Sequence, residues 1–278
     1  FQNLRVWSEN MAGQLQGKRA FITGSFQGVG LGIATVFARE GAALVLHGLG
    51  EQSVIDSAVA QVKSAGSPKV ETYVSDLRDV SATENLVKEI LRNGEIDILV
   101  NNAGIQHVAA TVDMPRDKWD DIIAVNLTSY FDTMRLLLPQ MAARGHGRVI
   151  NISSVHGIVA SVSKAPYVAA KHGVVGLTRV AALEHANIGN RENGGLTINA
   201  ICPGWVETTL IEPQIQERAA LHDGDRDAGV ADILREKQPS MRMSKTSDIG
   251  ELALWLCNKA AHNITGTASP IDGGWSAQ

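Results

Sequence analysis

The stretch Thr23-Gly24-Ser25-Phe26-Gln27-Gly28-Val29-Gly30 lies between an apolar run, Arg19–Thr23, and a segment of helical period, Gly30–Glu40. Glycines at 24, 28 and 30 permit a tight turn, close approach of the backbone to a pyrophosphate and close packing of helix on strand. The helix N-terminus adds unpaired N–H groups and the positive end of the helix dipole. A glycine-rich stretch alone is weak evidence, because glycines punctuate many turns. With a strand before it and a helix after it, a nucleotide-binding turn is the better reading.

Further apolar runs follow at Ala43–His47, Lys69–Val74, Ile96–Asn101, Arg148–Ser153 and Thr197–Cys202. Between them lie amphipathic segments at Gln52–Ala65, Ala82–Arg92, Pro115–Ala143 and Tyr167–Ala186. Runs with few polar residues on either face predict parallel strands covered on both sides and joined by right-handed crossovers. The expected fold class is therefore α/β, a Rossmann-type doubly wound parallel sheet. No repeat, low-complexity tract or Pro/Gly-rich linker divides the chain. One dinucleotide-binding domain is expected over 17–278, after an N-terminal extension at 1–16. Met11 reads as the natural start and residues 1–10 as an added stretch. The polar segment 207–238 has helical patches and no strand. It leaves the carboxyl end of a strand after Pro203-Gly204, where open sheets bind ligands, and is read as a helical lid; a plain surface insertion is the alternative.

The bulk properties exclude several classes. Of 278 residues, 44% are hydrophobic and 19% charged, which excludes a disordered chain. A net charge of −4 gives no electrostatic reason to expect nucleic acid or an anionic membrane as partner. No stretch approaches the roughly 20 apolar residues of a membrane helix. Two cysteines, Cys202 and Cys257, can make neither a disulfide scaffold nor a metal site, so a reducing, cytoplasmic setting is expected and no metal, at Gln278 or elsewhere.

The end of the second run, His47-Gly48-Leu49-Gly50-Glu51, lacks the acid that usually binds a ribose hydroxyl. It also lacks any Arg or Lys, as does the 25–29 turn, so nothing there neutralises a 2′-phosphate; NAD is expected rather than NADP. Asp76, just past the third run, could accept from an adenine amino group, or act as a helix cap near Asp79. Tyr167-Val-Ala-Ala-Lys171 places a phenol and an ammonium on one helix face. A cation there favours the phenolate and lowers its pKa from about 10, making the tyrosine a plausible acid/base. Ser154, in Asn151-Ile-Ser-Ser-Val-His-Gly157, sits at a strand end facing the same crevice.

Taken in order, the TGxxxGxG turn at Thr23–Gly30, Asp76, Asn101-Asn102-Ala103-Gly104, Asn126, Ser154, Tyr167 with Lys171, and Pro203-Gly204 with Thr208 resemble the short-chain dehydrogenase/reductase family. The resemblance runs from about Gly17 to the C-terminus. It implies a seven-stranded sheet with a last strand near Ala268–Asp272. It also implies proton transfer by Tyr167, stabilisation of the substrate oxygen by Ser154, and ribose binding by Lys171. Asn126 would hold a water relaying protons from Lys171. Cofactor contacts are implied for Gly24, Phe26, Gly28, Val29, Gly30, Asp76, Leu77, Asn102, Ala103, Gly104, Tyr167, Lys171, Pro203, Val206 and Thr208.

Within that family, Asn102–His107, Ser154–Gly157, Lys164–Tyr167, Ala200–Trp205 and Asp272–Trp275 are most similar to the enzymes of D-3-hydroxybutyrate, an activity of ketone-body metabolism. That similarity implies a carboxylate clamp of Gln106, His156, Lys164 and Gln214 beside Ser154 and Tyr167, with Trp205 and Trp275 walling a short methyl chain. One cation and amide donors suit a small anion, because a buried unpaired carboxylate is costly. Glu207 and Glu212 make the lid more acidic than such a site prefers. A reductase of thioesters, sugars or cyclic alcohols, or a non-catalytic nucleotide-binding protein, are the competing readings. By analogy with family tetramers, a homotetramer is expected, pairing through the long helices Pro115–Ala143 and Tyr167–Ala186.

Overall fold

A computed structural model describes residues 13–277. Residues 1–12, which include most of the proposed extension and Met11, and Gln278 lie outside the described residues.

The apolar runs become seven parallel strands: β1 Arg19–Ile22, β2 Ala43–Gly48, β3 Val70–Val74, β4 Ile98–Asn101, β5 Gly147–Ile152, β6 Leu196–Pro203 and β7 Ala268–Ile271. Their spatial order is β3-β2-β1-β4-β5-β6-β7. Every residue of β1, β4, β5 and β6 is buried, as expected of strands covered on both faces, whereas the edge strands β3 and β7 are partly exposed. The order reverses between β1 and β4. Open sheets leave a crevice at such a point, outside the carboxyl ends of the strands.

The helices are α1 Gly28–Arg39, α2 Gln52–Ala65, α3 Val80–Arg92, α4 Arg116–Ile123, α5 Ser129–Ala143, α6 Ala165–His185, α7 Glu212–Ala219, α8 Arg226–Lys237 and α9 Thr246–Cys257. Asp79 caps α3 by accepting from the N–H groups of Ser81 and Ala82, so Asp76 is not the cap there. One apolar cluster, with Ile33, Phe37, Leu46 and Ile249, fills the side of α1, α2 and α9. The other, with Phe21, Leu99, Leu137 and Val149, fills the side of α3 and α5.

The segment Pro115–Ala143 is helical without a break from Arg116, with a π-helical turn at Ala124–Thr128 between α4 and α5. The extra residue of a π turn rotates the helix face, and here it buries Asn126 completely. Helix α9 was not anticipated, although its start carries a recognisable signal. The Asp248 carboxylate accepts from the Lys245 N–H at 2.8 Å, as the third residue of a capping box does.

The segment 207–238 is helical, as expected, and forms α7 and α8. Ile211, Ile215 and Ile233 give the pair a small core of its own, packed on Trp205 and Met243. Buried Gln238 ends the excursion and accepts from the Trp205 N–H at 3.0 Å, tying the end of α8 to the end of β6.

Candidate active site

The carboxyl ends of β1, β4, β5 and β6 converge on one cavity of about 350 Å³, roofed by the segment that follows β6. Its first wall is the β1–α1 turn. Gly24 and Gly28 hold positive φ values of 62° and 59°, a conformation that costs glycine little. Gly30 is there for packing: a Cβ on it would lie 2.3 Å from the Gly24 carbonyl oxygen and 2.5 Å from Asn102 Nδ2.

Asn102 braces this turn. Its Nδ2 donates to the carbonyls of Thr23 and Gly24 at 3.0 and 2.9 Å, and its N–H donates to Thr23 Oγ1 at 2.9 Å. The Thr23 hydroxyl also accepts from the Ala103 N–H at 3.0 Å. The Asn102 amide nitrogen is thus committed to holding the turn.

The residues present fit a dinucleotide. Helix α1 has no side-chain cap and no acid in its first turn, and Gln27, Gly28 and Val29 at its start line the cavity. A Cβ on Gly28 would meet only Thr208 Cγ2, at 3.8 Å. Of the implied cofactor residues, Gly24, Phe26, Gly28, Val29, Asn102, Ala103, Gly104, Tyr167, Lys171, Pro203, Val206 and Thr208 all face this cavity. Gly30, Asp76 and Leu77 do not. Leu77 is buried, and the Asp76 carboxylate is gripped by Arg78, with Arg78 Nη2 2.6 Å away. Gly48 and Leu49, at the end of β2, extend the cavity beyond the implied set.

At the chemical end, Ser154, Tyr167 and Lys171 line the cavity together. Lys171 is buried; its Nζ donates to the Ile152 carbonyl at 2.8 Å and to Tyr130 Oη at 3.3 Å. Tyr130, absent from the sequence reading, is fully buried, and its hydroxyl is 3.1 Å from the carbonyl oxygens of both Ala103 and Ile152. It therefore links the ends of β4 and β5 beneath the lysine. Burial pushes the Lys171 ammonium down to about 7. Burial also raises the Tyr167 phenol, which Ser154 partly offsets. Lys171 Nζ lies 5.7 Å from the Tyr167 ring centre, and in this cavity burial sets the direction of both shifts.

The amide of Asn126 is also committed. Its Nδ2 donates to the Ile105 carbonyl and its Oδ1 accepts from the Ile105 N–H, both at 2.9 Å. It fixes the loop that presents Gln106.

The four polar residues of the implied clamp, Gln106, His156, Lys164 and Gln214, line the same cavity, with Trp205 and Trp275. Lys164 is only 8% exposed, which disposes of a solvated loop lysine. Its Nζ donates to Gln214 Oε1 at 3.0 Å and lies 5.5 Å from the Trp205 ring centre. Burial lowers the Lys164 ammonium. The His156 ring stands edge-on to Trp275 at 5.3 Å and to Tyr167 at 6.2 Å. Burial, then the Lys164 charge, hold His156 down at about 4, so it is neutral near pH 7. Trp205 and Trp275 pack with ring centres 5.5 Å apart. Asp272 positions Trp275 by accepting from the N–H groups of Gly274 and Ser276 at 3.0 and 2.8 Å. The acidity at the lid is muted, because Arg226 pairs with Glu212 at 2.9 Å and holds its carboxyl down at about 2.

Among the described residues, no group of three His, Cys, Asp or Glu side chains could hold a metal ion, and no helix is long and apolar enough to cross a membrane.

Comparison with known proteins agrees with this architecture. The sequence model described as short chain dehydrogenase matches residues 18–219. The chain is 44% identical over 266 residues to the D-beta-hydroxybutyrate dehydrogenase of Cupriavidus necator, covering 95% of this chain and 100% of that one. It is 42% identical to the enzyme of the same name from Rhizobium meliloti, over 94% of this chain and 99% of that one. The crystal structure of a gluconate 5-dehydrogenase from Burkholderia cenocepacia, in complex with NADP and tartrate, superposes with a TM-score of 0.83 at 31% identity, covering 95% of this chain and 97% of that one. With its reversed sheet order, its glycine turn and its Ser154, Tyr167 and Lys171 on one cavity wall, the chain belongs to the short-chain dehydrogenase family of oxidoreductases.

Proposed function

We propose that the protein is an NAD-dependent dehydrogenase that interconverts a short 3-hydroxy acid and its 3-keto acid, with D-3-hydroxybutyrate and acetoacetate as the pair. The observation that carries this reading is Lys164: a buried cation bonded to Gln214 in the cavity that also holds Tyr167 and Ser154. A neutral alcohol gives no reason to bury an ammonium, whereas a carboxylate does. The names of the relatives in Cupriavidus and Rhizobium point to the same substrate. The preference for NAD rests on the lack of any Arg or Lys in 25–29 and 47–51.

A bound nicotinamide supplies or accepts the hydride. The residues of the chain handle the oxygen and its proton. Tyr167, kept protonated by burial, donates to the carbonyl oxygen in reduction and takes the proton back in oxidation. Ser154 hydrogen-bonds the same oxygen and stabilises charge as it develops. Lys171, brought to about 7, can gain or lose a proton in the working range beside Tyr167, and with Tyr167 it would hold the ribose. Gln106, Lys164 and Gln214 hold the carboxylate, and Trp205 and Trp275 enclose the methyl end, with α7 and α8 acting as the lid.

The test is a spectrophotometric panel with NAD and NADP against both enantiomers of 3-hydroxybutyrate, longer 3-hydroxy acids and simple secondary alcohols. The expected outcome is the highest kcat/KM for D-3-hydroxybutyrate with NAD. Neutral alcohols turned over as well as the short acids would sink the clamp. For assembly we propose a homotetramer, since α5 and α6 present exposed Phe131, Val180 and Leu183; light scattering on the purified protein checks it.

A further inference from the structure

Asn126, Tyr130 and Thr133 follow one another along the π turn and α5, and each bonds β4 or the loop that leaves it. Asn126 bonds Ile105, Tyr130 bonds Ala103 and Thr133 bonds the Asn101 side chain. Tyr130 alone of these three also bonds Lys171. Its hydroxyl has one proton to give, shared between the Ala103 and Ile152 carbonyls at 3.1 Å. Its lone pairs accept from Lys171 Nζ at 3.3 Å. Burial, then the neighbouring Tyr167, raise the Tyr130 phenol well above its ordinary value. The hydroxyl therefore stays neutral and keeps its proton, so Tyr130 is not itself the acid of the reaction.

Lys171 is held at both ends. Its carbonyl accepts from Ser153 Oγ at 2.9 Å, and its Nζ donates to the Ile152 carbonyl as well as to Tyr130. An ammonium has three N–H bonds. Two are spent on these acceptors, which leaves one for the cavity that Lys171 lines. Nζ sits between two phenol rings, 5.2 Å from the centre of Tyr130 and 5.7 Å from that of Tyr167. The other titratable neighbour is Cys202 on β6, whose thiol burial pushes up to about 11. Tyr167, raised by burial, and Cys202 are both neutral near pH 7. Hydrogen bonds rather than ion pairs therefore decide where Nζ points.

We infer that Tyr130 is a positioning residue of the dehydrogenase: by taking one N–H of Lys171, it leaves the lysine a single N–H, fixed for the dinucleotide ribose and Tyr167. The inference rests on the dinucleotide half of the proposed function and not on the choice of substrate. The test is a thermodynamic cycle read by NADH binding, followed by fluorescence titration. It compares Tyr130→Phe, Lys171→Met, the double variant and the unaltered protein. Binding to the unaltered protein scores the dinucleotide reading, and differences among the variants score Tyr130.

Tyr130→Phe keeps the ring beside the ammonium and removes the hydroxyl alone. It should weaken NADH binding at least about threefold when Lys171 is present, and less than about 1.5-fold when Lys171 is already Met. With whichever hydroxy acid or alcohol is turned over best, kcat should fall about tenfold while its KM stays within about twofold. Ser129→Ala removes another buried hydroxyl of α5, one bonded within the helix to the Val125 carbonyl, and should change neither quantity.

A second measurement leaves Tyr130 in place. The chain has three tyrosines, Tyr73, Tyr130 and Tyr167, so 3-fluorotyrosine labelling gives three fluorine NMR signals, assigned with Tyr73→Phe and Tyr167→Phe. Saturating NADH should shift the Tyr130 signal in the unaltered protein and leave it in place in Lys171→Met. Three results each overturn the proposal: NADH binding and kcat unchanged in Tyr130→Phe, equal weakening with and without Lys171, or a Tyr130 signal that NADH moves alike in both proteins.

Discussion

The two ends of the main cavity use different materials. The β1–α1 turn offers its ligand main-chain N–H groups from one short stretch, Thr23–Gly30, held by Thr23 and Asn102. The proposed substrate end relies on side chains drawn from Gln106 to Trp275, carried in by several elements, with His156, Lys164 and Trp275 buried. A site made of backbone is set by where glycine occurs. One made of side chains is set by what the fold brings near Lys164. The first should therefore fail through packing and cofactor affinity, and the second through substrate affinity and proton transfer.

Tyr167→Phe gives the widest separation between the two ends. It should lower kcat/KM by about a thousandfold or more, the span of general acid–base catalysis, while cofactor binding measured by fluorescence stays within a few-fold. Retained turnover in that variant would mean that the proton comes from elsewhere.

Acid should strike both ends. His47, beside the nucleotide turn, and His156, at the substrate end, are each held at about 4 by burial. The unfolded chain takes up these protons near 6.5, so the stability they contribute is present above 6.5 and is lost as pH falls toward 4. At about 1.4 kcal/mol per pKa unit, each histidine contributes roughly 3 kcal/mol to that loss. Urea unfolding at pH 7 and pH 4.5 measures it, and His156→Asn should remove its own share of the dependence, leaving those of His47 and of His146, which burial also holds at about 4.

Gly30→Ala tests the backbone end alone. The added methyl meets the Gly24 carbonyl and the Asn102 amide, so it should cost about 1–3 kcal/mol of stability through overpacking. KM for the dinucleotide should rise while KM for the substrate holds. Equal damage to both would join the two ends into one mechanical unit.

The smallest effects belong to the clamp. Gln106→Ala, Lys164→Ala and Gln214→Ala should each raise KM for the substrate about tenfold, near 1.4 kcal/mol for one charge-assisted contact. They should lower kcat less, because they bind ground state and transition state alike. A large loss of kcat at unchanged KM would remove them from the carboxylate site.

The amino-acid sequence by itself determined the alternation of strand and helix, the nucleotide turn, and which residue types could carry the chemistry. Those features depend on local pattern: apolar runs, glycine spacing, an i, i+4 pair. The tertiary structure alone decided the rest. It set a π turn inside Pro115–Ala143 and bonded the Asn126 amide to the loop before Gln106. It placed Tyr130 under Lys171, locked Asp76 to Arg78, and neutralised Glu212 with Arg226. It also buried Tyr167 and Lys171 together, and a pKa depends on how much water the fold removes as well as on which residues stand four apart. Burial and long-range pairing are properties of the packed chain, and no local reading of sequence contains them.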